Sequence, residues 1–367
     1  MSEDDKGGLG KGARVPRRVL LKTLAASSLL LDPACGQSPL EDDPSVLQHA
    51  ISPALEFETP IKLENKLPGT SAYSLTRPAQ NGEVEGYASH DSIAARDTLR
   101  VFVNVARAQG VRCDVYRIGY YQGLGARLVR SEPRVLVSPQ ILPIPSAETG
   151  LVECAWQSAF AFPIETGFVN GYYLCKLTND DGFESYVPFI VRESGRTAPL
   201  LVQASVTTWQ AYNRWGDVSL YINHLPSTAS FAGVRGYQVS FDRPYAPDAD
   251  IGSVEWSFVR YLEQKGYDIG YVSNVDIDRM PELLQGRLLF ATSGHDEYWS
   301  LGERNAIQSA RDQGLSLAFF SGNTAYRRIR LEKSSSGGDR RVITCYKSGS
   351  LDPIADSDET TADTEQP

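Results

Sequence analysis

Apolar positions recur along this chain in two different rhythms. Between residues 98 and 193 they fall in short, partly alternating runs: TLRVFVNV (98–105), CDVYRIGYY (113–121), LVECAWQSAFAF (151–162), GYYLCKLT (171–178) and SYVPFIVRE (185–193). Gly, Pro, Asn or Asp turns separate them, and a period of two closed by such turns predicts an all-β sandwich, immunoglobulin-like in size. After ESGRTAPL the rhythm changes. LLVQAS (200–205), YDIGYVS (267–273), RLLFATS (287–293) and LSLAFFS (315–321) read as strands, while SVEWSFVRYLEQKG (253–266) carries apolar residues at helical spacing. SLGERNAIQSARDQG (300–314) is a second helix, with a capping-box start at Ser300 and Glu303 and a glycine stop. Strands alternating with helices predict a doubly wound parallel sheet. The expected organisation is therefore a β-sandwich domain over 67–195 followed by an α/β domain over 196–350.

The ends differ in character. RVPRRVLLKTLAASSLLL (14–31) joins a basic start at Arg17 and Arg18 to an apolar run too short and too Ser-rich for a permanent membrane helix, and so predicts an export signal over 1–37. Its Arg-Arg-Val-Leu-Leu-Lys order resembles the twin-arginine signal, whose route carries folded proteins to the periplasm, the cell surface or the medium. In DPACGQ (32–37), lipidation of Cys35 would add a membrane anchor, although Asp32 stands where a lipobox has an aliphatic residue. Residues 38–66, rich in Pro, Asp, Glu and Ser, predict a linker, and the acidic 351–367 a disordered tail.

Composition narrows the function classes. The 367 residues are 41% hydrophobic, enough for about two domains. A net charge of -9 with no basic stripe argues against a nucleic-acid partner. Cys113, Cys154, Cys175 and Cys345 form no C-x-x-C pair and no zinc-ligand spacing, which leaves them as buried thiols. GYYQGLGARL (119–128) lacks G-x-G-x-x-G spacing, so its glycines read as turn positions and not as a nucleotide loop.

In an open parallel sheet, ligands sit beyond the carboxyl ends of the strands. Those ends here carry VTTWQAYNRWGDVSLY (206–221), NVDID (274–278), GHDEYW (294–299) and GNTAYRR (322–328), which gathers Tyr212, Asn213, Asp276, His295, Glu297 and Asn323 on one expected rim. His295 and Glu297 stand two apart, so in an extended segment they point the same way. Plainer roles stand beside these: Asp296 as an acceptor for amides near the next helix, Trp209, Trp215 and Trp299 as packing, and Tyr212 as a hydrogen-bonded phenol.

IGYYQGLGARLV (118–129), TTWQAYNRWGDVSLY, VSFDRPY (239–245), SGHDEYWS (293–300) and FFSGNTAYRRIR (319–330), in this order, resemble the N,N-dimethylformamidase large-subunit family, including its C-terminal catalytic region, from about residue 70 to about 347. The resemblance implies a β-sandwich paired with a glutamine-amidotransferase-like α/β domain, and hydrolysis of small amides with a mononuclear Fe3+ held by two tyrosines and a glutamate. Carried over, it implies Glu297 as the carboxylate ligand, His295 and Asn323 as catalytic residues, and Tyr212 and Tyr245 as the phenolate ligands, with Tyr221 and Tyr173 as competitors. A small partner subunit or a homo-oligomer belongs to the same expectation.

Two phenolates and a carboxylate are hard oxygen donors suited to trivalent iron. The sequence also departs from the family: the acidic tail replaces the later strands, which reads as truncation, and Arg327 stands where relatives carry Trp. The alternatives are a non-catalytic exported ligand-binding protein and an inactive remnant of such an enzyme.

Overall fold

The computed structural model describes residues 58–165, 167–354, 360 and 361. The expected export signal, Cys35 and the linker as far as residue 57 lie outside the described residues, as do 355–359 and 362–367 of the tail. Sixteen strands in four sheets and five α-helices give a mixed, β-rich architecture among the described residues.

Eight strands build the first half: β1 (Val84–Ala88), β2 (Ser92–Ile93), β3 (Thr98–Val105), β4 (Gln109–Ile118), β5 (Ala126–Val137), β6 (Ser158–Pro163), β7 (Gly171–Asn179) and β8 (Glu184–Val191). They form one sheet in the order β1-β3-β6 and another in the order β2-β8-β7-β4-β5. Val101 and Val103 of β3, Phe160 of β6, Val115 of β4, Cys175 of β7 and Val187 of β8 share one apolar cluster, so the two sheets face each other across it. The alternate residues Tyr116, Tyr172, Leu174 and Ile190 join the core of the second half instead. With both faces covered, the central strands need apolar residues throughout, which is why GYYLCKL alternates so poorly. Of LVECAWQSAFAF only the end is strand; 151–157 run irregularly. The glycines of the 119–125 segment make the β4–β5 turn, with Gly123 and Gly125 at φ 91° and 87°.

The second half carries a parallel sheet of β9 (Leu200–Ala204), β11 (Ile269–Ser273), β12 (Leu289–His295) and β14 (Ser316–Gly322), in the order β11-β9-β12-β14. Helix α3 (Ser253–Gln264) lies on one face, its Val259 and Leu262 packing with Val202, Tyr271 and Ala291. Helices α4 (Asn274–Arg279) and α5 (Leu301–Asp312) lie on the other, through Ile277 and Ile307 against Leu201, Val272 and Phe290. Helices on both faces make the sheet doubly wound. Of the capping box expected at α5, only half forms: Ser300 accepts from the Glu303 amide, while the Glu303 side chain turns into the core. The full box lies at α4, between Ser273 and Asp276.

A smaller sheet, β10 (Gln238–Ser240), β16 (Val342–Thr344), β15 (Arg327–Glu332) and β13 (Tyr298–Ser300) in that order, closes the second half. Two segments sit differently from the sequence expectation. Residues 60–64, inside the stretch read as linker, form helix α1 (Pro60–Glu64), capped by Thr59 and anchored by Ile61 and Glu64. Within the acidic tail, Asp352 is buried, pairs with Arg330 at 2.9 Å and accepts from the Thr361 hydroxyl at 2.7 Å.

Candidate functional site

The order of the parallel sheet reverses between β9 and β12, and at such a switch point the loops leaving adjacent strands part to leave a crevice. Helix α2 (Val206–Tyr212) follows β9 and ends at Tyr212. Strand β12 ends at His295 and leads into Asp296 and Glu297, and Gly294 bends its last residues at φ 77°. A Cβ there would stand 3.0 Å from Glu255 Cγ, so both space and backbone call for glycine.

Glu297 is the centre of the site. Its backbone amide is held by Thr208 Oγ1 of α2 at 2.9 Å, and its carbonyl accepts from the Arg327 amide at 2.9 Å. The buried carboxylate receives Tyr212 Oη at 2.8 Å on Oε2 and Tyr221 Oη at 2.9 Å on both oxygens. The two phenol rings stack with centroids 4.2 Å apart. His295 Nε2 stands 3.3 Å from Glu297 Oε2, and Arg327 Nε 3.6 Å from Oε1. Lys347 Nζ sits 3.6 Å above the Tyr221 ring and donates to the Leu220 carbonyl at 3.0 Å.

Burial and the adjacent carboxylate hold both phenols in the protonated form, Tyr221 pushed up to about 12 and Tyr212 higher still. Burial pulls the Lys347 ammonium down to about 8. The His295 side chain is 38% exposed and, with Tyr212, lines a cleft of about 300 Å³ whose far wall includes Glu255, Asp248 and Asp250.

Of the residues expected on the rim, Tyr212, His295 and Glu297 come together, and Tyr221 joins them in the place expected for Tyr245. Tyr245 is instead half-buried beside Trp209, Gln210 and Arg341, and Tyr173 lies in the core between the facing sheets. Asn323 follows β14 at φ 50°, exposed. Asn213 and Asp276 are structural. Asn213 bonds to the Pro244 carbonyl and the Ala246 amide, and Asp276 caps α4 and pairs with Arg192 at 2.8 Å.

Asp296 points away from its neighbours into a closed ring of fully buried groups: Gln203 Nε2 and Asn274 Nδ2 each donate to both Asp296 and Glu303. This ring fixes the backbone between His295 and Glu297. No motif marks Lys347, Glu303 or Asn274 for such positions, since their partners lie 22 to 127 residues away in sequence.

Among the described residues no group of three or more His, Cys, Asp or Glu is placed to hold a metal. A metal at Glu297 would have to take phenol oxygens, and two are present. Two phenol oxygens and one carboxylate are hard donors of the kind a trivalent cation takes, and its charge would displace the phenol protons.

The profile of the family described as N,N-dimethylformamidase beta subunit-like, C-terminal, matches residues 112–366, which takes in every residue of this site. No curated protein matches the chain. Among solved structures, an uncharacterized protein from Bacillus anthracis strain Ames is 11% identical, over 34% of this chain and 91% of that one, with a TM-score of 0.21. A cycloisomaltooligosaccharide glucanotransferase of Paenibacillus sp., complexed with cycloisomaltoheptaose, is 9% identical over 59% of this chain and 27% of that one, with a TM-score of 0.20.

Proposed function

Because the chain belongs to the N,N-dimethylformamidase beta subunit-like family, whose profile covers 112–366, we propose that it hydrolyses the C–N bond of small linear amides at Glu297, with a mononuclear ferric ion held by Tyr212, Tyr221 and Glu297. The observation that carries this reading is the convergence of two phenols on one buried carboxylate. In this reading the two facing sheets are the immunoglobulin-like sandwich, and the parallel sheet is the glutamine-amidotransferase-like domain.

Ferric iron held there would supply Lewis acidity toward the amide carbonyl and acidify a water. His295, facing the cleft beside Glu297, would take the proton of the attacking water on its imidazole and return it to the departing amine nitrogen. Asn323, at the end of β14, would donate its side-chain amide to the carbonyl oxygen as negative charge develops there.

A second reading rests on Arg327 and Lys347: their charges, and not a metal, balance Glu297, and the cleft binds a ligand without turnover. Ferric reconstitution followed by formamide and dimethylformamide hydrolysis separates the two. The catalytic reading expects His295→Ala to keep the iron and lose on the order of 100-fold or more in kcat. Wild type that takes up no iron and leaves both amides intact would leave only the second.

Export through the twin-arginine route is part of the proposal, supported by Arg17 and Arg18. Replacing both by Lys is expected to hold the precursor in the cytoplasm, and its continued export would contradict this.

A further inference from the structure

A second cavity lies behind the wall of the cleft. It holds about 380 Å³ between the first half, at the starts of β1 and β8, and the segment that runs from Tyr245 into α3. That segment serves both spaces: Tyr245, Ala246 and Ile251 line the cavity, Asp248 and Asp250 the cleft, and Ala249 lines both. Neither Glu297 nor His295 lines the cavity.

Its chemistry is aromatic and anionic. Trp215, Trp256, Tyr186 and Tyr245 line it together with Glu85 and Glu184, and no Lys or Arg does. Two of the aromatic polar groups are already engaged within the protein, Trp215 Nε1 with Glu85 Oε2 at 2.7 Å and Tyr186 Oη with the Tyr73 carbonyl at 2.7 Å. Glu184 is neutralised by Lys176 at 2.8 Å. Glu85 is not. Half-buried, it takes the neutral donors Trp215 Nε1 and Asn104 Nδ2, the latter at 2.9 Å, and among the described residues no cation pairs with it. A carboxylate partly withdrawn from water without a counter-charge costs free energy that a bound cation recovers. The faces of Trp and Tyr attract the same charge. An anion would be repelled by Glu85, and a purely apolar ligand would leave its charge uncompensated.

We propose that this cavity binds a small alkylammonium cation, a protonated or quaternary amine whose alkyl groups meet the aromatic lining while Glu85 balances its charge. Aromatic rings around a carboxylate suit a bulky, weakly hydrated cation, whereas Mg²⁺ and Ca²⁺ take a shell of oxygen donors. The site stands on its own lining. Its link to the cleft rests on the proposed hydrolysis: a dialkyl amide and water give a carboxylate and a dialkylammonium ion, the class of ion that the cavity accepts on the far side of the 245–253 segment.

Ligand-observed NMR of the full chain, kept free of iron, tests this with tetramethylammonium chloride as the probe at constant ionic strength. Wild type is expected to show saturable binding that dimethylammonium displaces and that tert-butanol, a neutral molecule of similar size, does not. Glu85→Gln should weaken the binding at least about tenfold, and Trp256→Leu supplies the same loss if Glu85→Gln does not fold. Glu297→Gln should leave it unchanged, which separates this site from the carboxylate and phenols of the cleft. No saturable binding by wild type, displacement by tert-butanol, binding that survives both cavity substitutions, or binding lost with Glu297→Gln would each overturn the proposal. Because no turnover is read, a chain that hydrolyses no amide can still bind the probe, and an active enzyme can still fail to bind it.

Discussion

Glu255 shows how burial sets chemistry one residue at a time. It lies in the first turn of α3, accepts from Trp209 Nε1 at 2.9 Å and from Tyr172 Oη at 2.5 Å, and its wall position in the cleft is fully desolvated. Burial, and then the nearby Asp296 charge, push its carboxyl up to about 8. The native state therefore keeps a proton that the unfolded chain releases at the ordinary carboxylate value. Stability is lost as pH rises from about 4.5 to about 8, and the loss is complete above that window. Glu255→Gln keeps an acceptor for Trp209 and offers Tyr172 a donor without titrating. Its denaturation midpoint should gain on wild type between pH 5 and pH 8, and parallel curves for the two proteins would show that Glu255 titrates normally. At the same scale, His295 and Glu297 were legible in the sequence because a spacing of two in an extended segment sends both side chains one way. Tyr221 stood only as a competitor to Tyr245, because its approach depends on the irregular path of 213–220, which carries no period.

At the scale of elements, periodicity located what it physically controls. The runs at 98–105, 171–178 and 200–205 became strands nearly residue for residue, and the two helical patterns became α3 and α5, because each buries a face against a neighbour and so must repeat. Elements held by single contacts left no such trace. Helix α1 is five residues long, fixed by a Thr59 cap and the burial of Ile61 and Glu64, and the docked part of the tail hangs on Asp352. Asp352→Ala should therefore leave Arg330 without its buried carboxylate partner and lower stability by roughly 1–3 kcal/mol, read from urea unfolding. An unchanged midpoint would mean that the 352–361 contact contributes nothing.

For the whole molecule, the two halves share one core, pinned by an ion pair no pattern could announce. Arg117 of β4 and Glu263 of α3, both fully buried, meet at 2.7 Å and are further bonded to Tyr121, Asn65 and Tyr271. Arg117→Ala should cost about 3–5 kcal/mol by stranding the Glu263 charge, and Arg117→Met with Glu263→Met considerably less; equal losses would locate the energy in packing and not in the charge. That rigid junction supports the switch-point crevice, and the account of what happens there depends on Tyr212, Tyr221 and Glu297 holding iron. The most direct measurement is the visible spectrum and iron content of the purified, ferric-reconstituted protein. About one iron per chain and a phenolate-to-iron absorption band are predicted, lost with Glu297→Ala and strongly weakened by Tyr221→Phe, while Tyr245→Phe leaves the band in place. A colourless, iron-free protein after reconstitution, or a band that follows Tyr245 and ignores Tyr221, would contradict the account.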